Sequence, residues 1–209
     1  MRTLPFLVAA ALCWALTTSV TSTKDPARIR KATSVGHRFP KFEGTTLWGR
    51  HIDQSLFKDR VTLIHVWKLS CHWSMKGIQE YSAMVDSITD PRFQMISMAP
   101  QTREDLGSAY GPDSIAPLPN VHRSASSRVP HYDVLPMCTP LRRPPAYGPA
   151  FDCRTLEDLL GVIGYPLVII VGPDGVIHFR EEGLPLDVAT LQPDLRGFKH
   201  DLDSLLRVL

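Results

Sequence analysis

The sequence predicts an α/β domain, and three observations carry that reading. The run Val61-Thr62-Leu63-Ile64-His65-Val66-Trp67 is apolar enough for a strand buried on both faces. Behind it Ile78, Tyr81, Val85 and Ile88 recur at helical spacing, and Pro91 lies just past their end. Further on, Leu167 to Val171, the turn Pro173-Asp174-Gly175 and Val176 to Arg180 read as a strand hairpin.

The remaining elements follow in order. Val35 to Leu56 alternates loosely, with turn signals at Gly36, Pro40 and Gly44. Phe93 to Met98 reads as a second strand, and Thr102 to Tyr110 as a helix capped by Thr102 and stopped by Gly111. The stretch from Pro112 to Pro149 holds nine of the chain's eighteen prolines. Each proline removes a backbone donor, so residues 112–154 are expected as an irregular insert, with at most a short strand near Val121. Thr155 to Ile163 reads as a short helix with Thr155 as cap, and Leu202, Leu205, Leu206 and Leu209 mark a last amphipathic helix.

At 209 residues the chain suits one domain with extensions. Its 44% apolar content and formal charge of +2 argue for neither a nucleic-acid partner nor an acidic surface. The N-terminus differs: Arg2 precedes the apolar run Leu4 to Leu16, and small polar residues follow. That layout predicts a signal peptide over residues 1–22, with Val20 and Ser22 at the cut. The apolar run falls short of the roughly 20 residues that span a bilayer, an uncleaved anchor being the alternative. A flexible lead-in, 23–34, would then precede a domain over 35–209. No later segment is long and apolar enough to span, so a secreted or periplasmic location is expected. Removal of Cys13 leaves Cys71, Cys138 and Cys153, an odd count in an oxidising compartment. Cys138 and Cys153 enclose a short loop in the proline-rich region and are expected to form a structural disulfide, worth up to about 3 kcal/mol.

Cys71 carries the chemistry. It opens a Cys-x-x-Ser segment, Cys71-His72-Trp73-Ser74, between the first strand and its helix. A thiol at a helix N-terminus meets unpaired N–H groups and the positive end of the dipole, which favour the thiolate. Ser74 stands where a second sulfur would allow a closed pair. His72 is placed to lower the thiol's pKa. His65 can serve as a buried proton donor or acceptor near Ser74 and Cys71, or as a core histidine satisfied by a backbone carbonyl. Trp73 either forms an apolar rim suited to a peptide or simply packs.

The order of elements, with Val66-Trp67-Lys68-Leu69-Ser70-Cys71, Gly161-Val162-Ile163-Gly164-Tyr165-Pro166-Leu167 and Val171-Gly172-Pro173-Asp174-Gly175-Val176-Ile177, resembles the exported thioredoxin-like thiol oxidoreductases of the TlpA and ResA type. The resemblance runs from about Val35 to Leu209 and is interrupted by the insert. It implies a thioredoxin-like fold, with a central mixed sheet flanked by helices. It also implies a cis Pro166 that faces the redox cysteine and, with Tyr165, presents backbone to an extended substrate; a trans proline opening a strand is the alternative. Thiol–disulfide exchange through Cys71 with a client protein, a peptide or a small thiol is therefore expected, the alternative being a redox-inactive interaction module. A peroxiredoxin site would need proline and Thr or Ser where Ile64 and Lys68 stand. Cys71, Met75 and a histidine offer soft Cu(I) ligands, but a methionine in a first helical turn more often packs, and neither cofactor nor metal is expected.

Overall fold

The computed structural model describes residues 25–47, 49–110, 133–140, 151–187, 189–190 and 192–208. The expected signal peptide and the strand near Val121 lie outside the described residues. A five-stranded sheet forms the centre, built from β3 (Val61–Val66), β4 (Phe93–Ala99), β5 (Asp133–Pro136), β8 (Leu167–Val171) and β9 (Ile177–Glu182) in the order β5-β4-β3-β8-β9. β3, β4 and β5 run parallel, while β8 is antiparallel to both β3 and β9, so the sheet is mixed.

β3 is the middle strand, and all six of its residues are buried. Alternation then divides its side chains between two cores. On one face Leu63 and Trp67 pack with Val168, Ile170 and the apolar sides of α2 (His72–Asp86) and α5 (Arg196–Val208). Tyr81 of α2 meets Phe198 of α5 edge to face at 5.6 Å. On the other face Ile64 and Val66 pack with Ile169, Val171 and the residues Leu156 and Leu160 of α4 (Thr155–Leu160). Phe39, Phe42 and Phe57 close that side, their ring centroids 5.4 to 5.8 Å apart. Phe39 and Phe42 precede the N-terminal ribbon of β1 (Glu43–Thr45) and β2 (His51–Asp53), and Phe57 ends the 3-10 turn Gln54–Phe57 that follows it. Each face of one strand thus carries its own helical layer.

Several sequence expectations change in detail. α3 (Arg103–Tyr110) opens with a reciprocal capping box: Asp105 N donates to Thr102 Oγ1 at 3.1 Å, and Thr102 N donates to Asp105 Oδ2 at 3.3 Å. α4 is shorter than the expected helix to Ile163. Gly161 takes a left-handed φ of 61° and stops it after Leu160, and Arg154 rather than Thr155 is the cap. The expected irregular insert contributes β5, which sits at the sheet edge, where a proline such as Pro136 removes no internal ladder bond. Next to it β6 (Thr139–Pro140) pairs with β7 (Phe151–Asp152), and Cys138 and Cys153 are joined in a disulfide beside this ribbon.

The expected flexible lead-in holds α1 (Pro26–Ala32). Asp25 caps it, Pro26 occupies the first turn where its missing N–H costs nothing, and Thr33 follows buried. The Thr33 hydroxyl lies 2.9 Å from Ile29 O and 3.1 Å from Leu160 O. Arg180 of β9 completes the joint, donating to Thr33 Oγ1 at 3.2 Å, Leu160 O at 2.9 Å and Glu182 Oε1 at 3.0 Å. One guanidinium therefore fastens α1, α4 and β9 together. Arg180→Met keeps the apolar stem and removes three donors, so it should destabilise the domain by about 2 kcal/mol, lowering Tm by several degrees. A thermal melt followed by circular dichroism measures this, and a variant that melts with the parent contradicts the joint.

Candidate active site

The site begins where β3 leaves the sheet. Trp67 N still donates to Met98 O at 3.1 Å, extending the strand pairing by one residue. The chain then turns through Lys68-Leu69-Ser70, and Cys71 N donates back to Lys68 O at 3.0 Å. Cys71 is the N-cap of α2, with extended backbone (φ −102°, ψ 113°), and Met75 N donates to its carbonyl at 3.1 Å. Ser74 is fully buried beneath this turn, and its Oγ accepts from Lys68 N at 3.2 Å. The hydroxyl therefore ties the first turn of the helix to the end of the strand.

Cys71 is partly exposed and is the free cysteine among the described residues. Its thiol makes no capping bond to the helix and instead donates to Tyr165 O at 3.5 Å. The Tyr165–Pro166 peptide is cis. Partial burial pushes the Cys71 pKa up. The Ser74 hydroxyl, the first-turn N–H groups of Ser74 and Trp73 and the charge of Lys68 push it down, and the net result lies below the ordinary thiol value. The two sets of partners belong to the two protonation states: a carbonyl accepts from the thiol, whereas a hydroxyl and N–H groups donate to the thiolate.

His72 stands next to Cys71 as the first residue of α2. It is exposed and turned edge-on to Trp73, with centroids 5.5 Å apart, and the charge that acts on the thiol comes from Lys68. His65 is not the carbonyl-satisfied core histidine that one reading expected. It is wholly buried, and neither ring nitrogen has a hydrogen-bond partner, so no carbonyl satisfies it and no bond joins it to Cys71 or Ser74. Its ring lies 5.0 Å from that of Tyr81. A methyl group built on Gly77 would sit 3.6 Å from His65 Nε2, Pro166 Cγ and Leu184 Cδ1 alike, which places the imidazole under α2 beside the cis proline. Desolvation drives its pKa down to about 3, so the ring is neutral at physiological pH.

Apolar and cationic side chains form a rim on the two segments that meet at the sulfur, the start of α2 and the loop that ends at Tyr165. Trp73 is 42% exposed and Ile163 65%. Tyr165 is half-buried, its hydroxyl enclosed without a partner and its pKa pushed to about 12, by burial first and by Glu157 second. Lys68 Nζ lies 5.9 Å from the Tyr165 ring centroid, and Lys76 Nζ 5.8 Å from that of Trp73. Neither lysine was legible as a site residue, although Lys76 stands one helical turn after Trp73. Met75 packs against the core on the α2 face. Among the described residues no group of three or more His, Cys, Asp and Glu could hold a metal ion, and no helix is long and apolar enough to cross a membrane.

No protein-family model and no curated protein matches this chain. Solved structures do. The C-terminal domain of a protein assigned as a thiol-disulfide oxidoreductase from Bacteroides thetaiotaomicron is similar with a TM-score of 0.54 at 14% identity, covering 85% of this chain and 99% of its own. A thiol peroxidase from Chromobacterium violaceum gives 0.54 at 15% identity, with 84% and 89% covered. The exposed lipoprotein thioredoxin of Streptococcus pneumoniae gives 0.50 at 15%, with 81% and 99% covered. The fold is thioredoxin-like. In this thioredoxin-like fold Cys71, Ser74, Trp73, Tyr165 and Pro166 converge at one end of β3, while Cys138 and Cys153 form a disulfide beside the outer ribbon.

Two outcomes follow from the thiol and the imidazole. Ser74→Ala removes a donor to the thiolate, so the pH at which Cys71 alkylation by iodoacetamide is half-maximal should move upward. Cys71→Ser should abolish the fast phase, and an unshifted midpoint in Ser74→Ala would remove Ser74 from this role. His65 bears on acid stability. Below about 6.5 the unfolded chain protonates it while the folded chain does not until about 3. Unfolding then takes up a proton, and stability is lost as the pH is lowered through that window, by up to about 1.4 kcal/mol per unit. His65→Leu should lose less stability between pH 7 and 4.5 than the parent, measured as urea midpoints. Parallel losses would contradict a buried neutral ring.

Proposed function

We propose that this chain performs thiol–disulfide exchange through Cys71, in an extracytoplasmic compartment, on a cysteine of a client protein or peptide. The observation that carries the reading is the Cys71 sulfur itself: partly exposed, at the start of α2, and surrounded by donors that favour its charged form. In the reaction the Cys71 thiolate attacks one sulfur of a client disulfide. The client S–S bond breaks, a Cys71–client S–S bond forms, and the second client sulfur leaves as a thiolate and takes a proton from water. Ser74 has no sulfur to resolve this mixed disulfide, so a second thiol, from the client or from a small dithiol, attacks it and returns Cys71 to the thiolate.

The extracytoplasmic part of the proposal rests on the basic and apolar N-terminal layout and on the Cys138–Cys153 disulfide, a bond that persists in oxidising compartments.

The discriminating variant is Ser74→Cys. Position 74 lies at the buried end of the turn where a closable pair with Cys71 would form. The variant should acquire insulin-reductase activity with dithiothreitol as electron source, well above the parent at equal concentration after subtraction of the reagent's own rate. A folded variant that closes the engineered disulfide with Cys71 yet stays inactive would overturn the enzymatic reading in favour of an interaction module.

A further inference from the structure

The rim around Cys71 bears on which clients it takes, an inference that rests on the exchange reading above. Lys68 stands in the turn before Cys71, and Lys76 stands on the outer side of α2. Each ammonium sits over an aromatic ring of the rim, at 5.9 Å for Tyr165 and 5.8 Å for Trp73. Lys76 also donates to Gln192 Oε1 at 3.1 Å, a neutral acceptor. Among the described residues neither lysine has a carboxylate partner.

The acids nearby are engaged elsewhere or set back. Glu182, whose Oε2 approaches Gly164, is held by Arg180 at 3.0 Å and Arg30 at 3.5 Å. Glu157 acts on Tyr165 from the α4 side. Glu80 stands one turn beyond Lys76, lining the cleft between α2 and α5 rather than the sulfur. The groups left to meet a client are therefore two ammonium ions without a carboxylate, the exposed His72, and the apolar faces of Trp73 and Ile163.

We infer that the client of Cys71 is an extended segment carrying acidic side chains on both sides of its disulfide-bonded cysteine, with an apolar side chain to lie on Trp73 and Ile163. Lys68, whose charge acts on the sulfur, stands in the turn before Cys71, and Lys76 sits over Trp73 in the helix after it, so a carboxylate on either side of the incoming cysteine would gain an ammonium. Their positions over aromatic rings keep the charges at the rim, where they attract an approaching anion before contact. Exposed charges of this kind act chiefly on the rate of encounter and are screened by salt.

The test measures mixed-disulfide formation at Cys71 by intact mass, using the full chain. The probes are symmetric disulfide-linked peptides of equal length whose cysteine is flanked by glutamates, glutamines or lysines, with bis(2-hydroxyethyl) disulfide as an uncharged small probe. At about 20 mM salt the acidic peptide should react about tenfold faster than the basic one, and near 0.5 M the ratio should fall below about twofold. Lys68→Glu combined with Lys76→Glu should bring the acidic-to-basic ratio below one. Equal rates for the three peptides, with the small disulfide still reacting at Cys71, would overturn the acidic client while leaving the exchange chemistry standing. A Cys71 that reacts with none of the probes, the small disulfide included, would overturn the exchange reading and this inference with it.

Discussion

The hydrogen bond from Lys68 N to the buried Ser74 hydroxyl is the joint on which the site depends. β3 is immobilised on both faces by two cores, and α2 lies against only one of them. The strand and the helix meet through a short turn, and the part-buried amide of Lys68 finds its acceptor there in the side chain of Ser74. Ser74 accepts from that amide while its own proton is free to donate toward the Cys71 sulfur. A hydroxyl fills both places because it is a donor and a good acceptor at once, whereas a thiol is weak in both respects. The serine therefore holds the turn and favours the thiolate, and it removes the sulfur that would have closed a pair.

The same sheet carries an unpaired polar group at its centre. His65 is fully buried in β3 and its nitrogens find no partner, whereas Thr62, the other buried polar residue of that strand, accepts from Gln94. The neighbouring face shows the opposite solution. Arg180, also largely enclosed, directs its donors to Thr33, Leu160 and Glu182. Burial lowers the pKa of both groups, but only the imidazole can escape the penalty by giving up its proton. That difference is why the arginine acts as a fastener and the histidine as an uncharged filler beside Pro166.

Local patterns that depend on nearby residues were legible. The apolar run of β3, the helical spacing of α2, the Asp174-Gly175 turn and the thiol at a helix start all follow from rules acting over a few positions. What escaped depends on partners far along the chain. α1 is short and polar, and it is held by Thr33, Leu160 and Arg180, contacts that span 127 and 147 residues. β5 lies among prolines and becomes a strand because β4 offers it an open parallel edge. At the site, His72 is next to Cys71 in sequence but faces outward, while Lys68, on the other side of the turn, supplies the charge. Adjacency along the chain is a poor guide to electrostatics where the backbone turns.

The absence of a resolving sulfur at position 74 changes what the rim has to do. In a two-cysteine site the helix itself terminates the encounter, because the second thiol displaces the client within the same turn. Under the proposed exchange, a Cys71–client bond would persist until a thiol arrives from outside, so its lifetime would be set by access and by the concentration of that thiol. The surfaces beside the sulfur would then govern two steps rather than one. They would select which disulfide reaches Cys71 and lie against the client for as long as the bond lasted, a task suited to the exposed apolar side chains of Trp73 and Ile163. In that scheme Lys68 would serve in both steps: its charge favours the thiolate before the bond forms, and the same ammonium would remain beside the sulfur once the thiolate charge had gone. An anionic flank on the client would restore the lost partner for that ammonium, coupling retention of the client to the consumption of the thiolate.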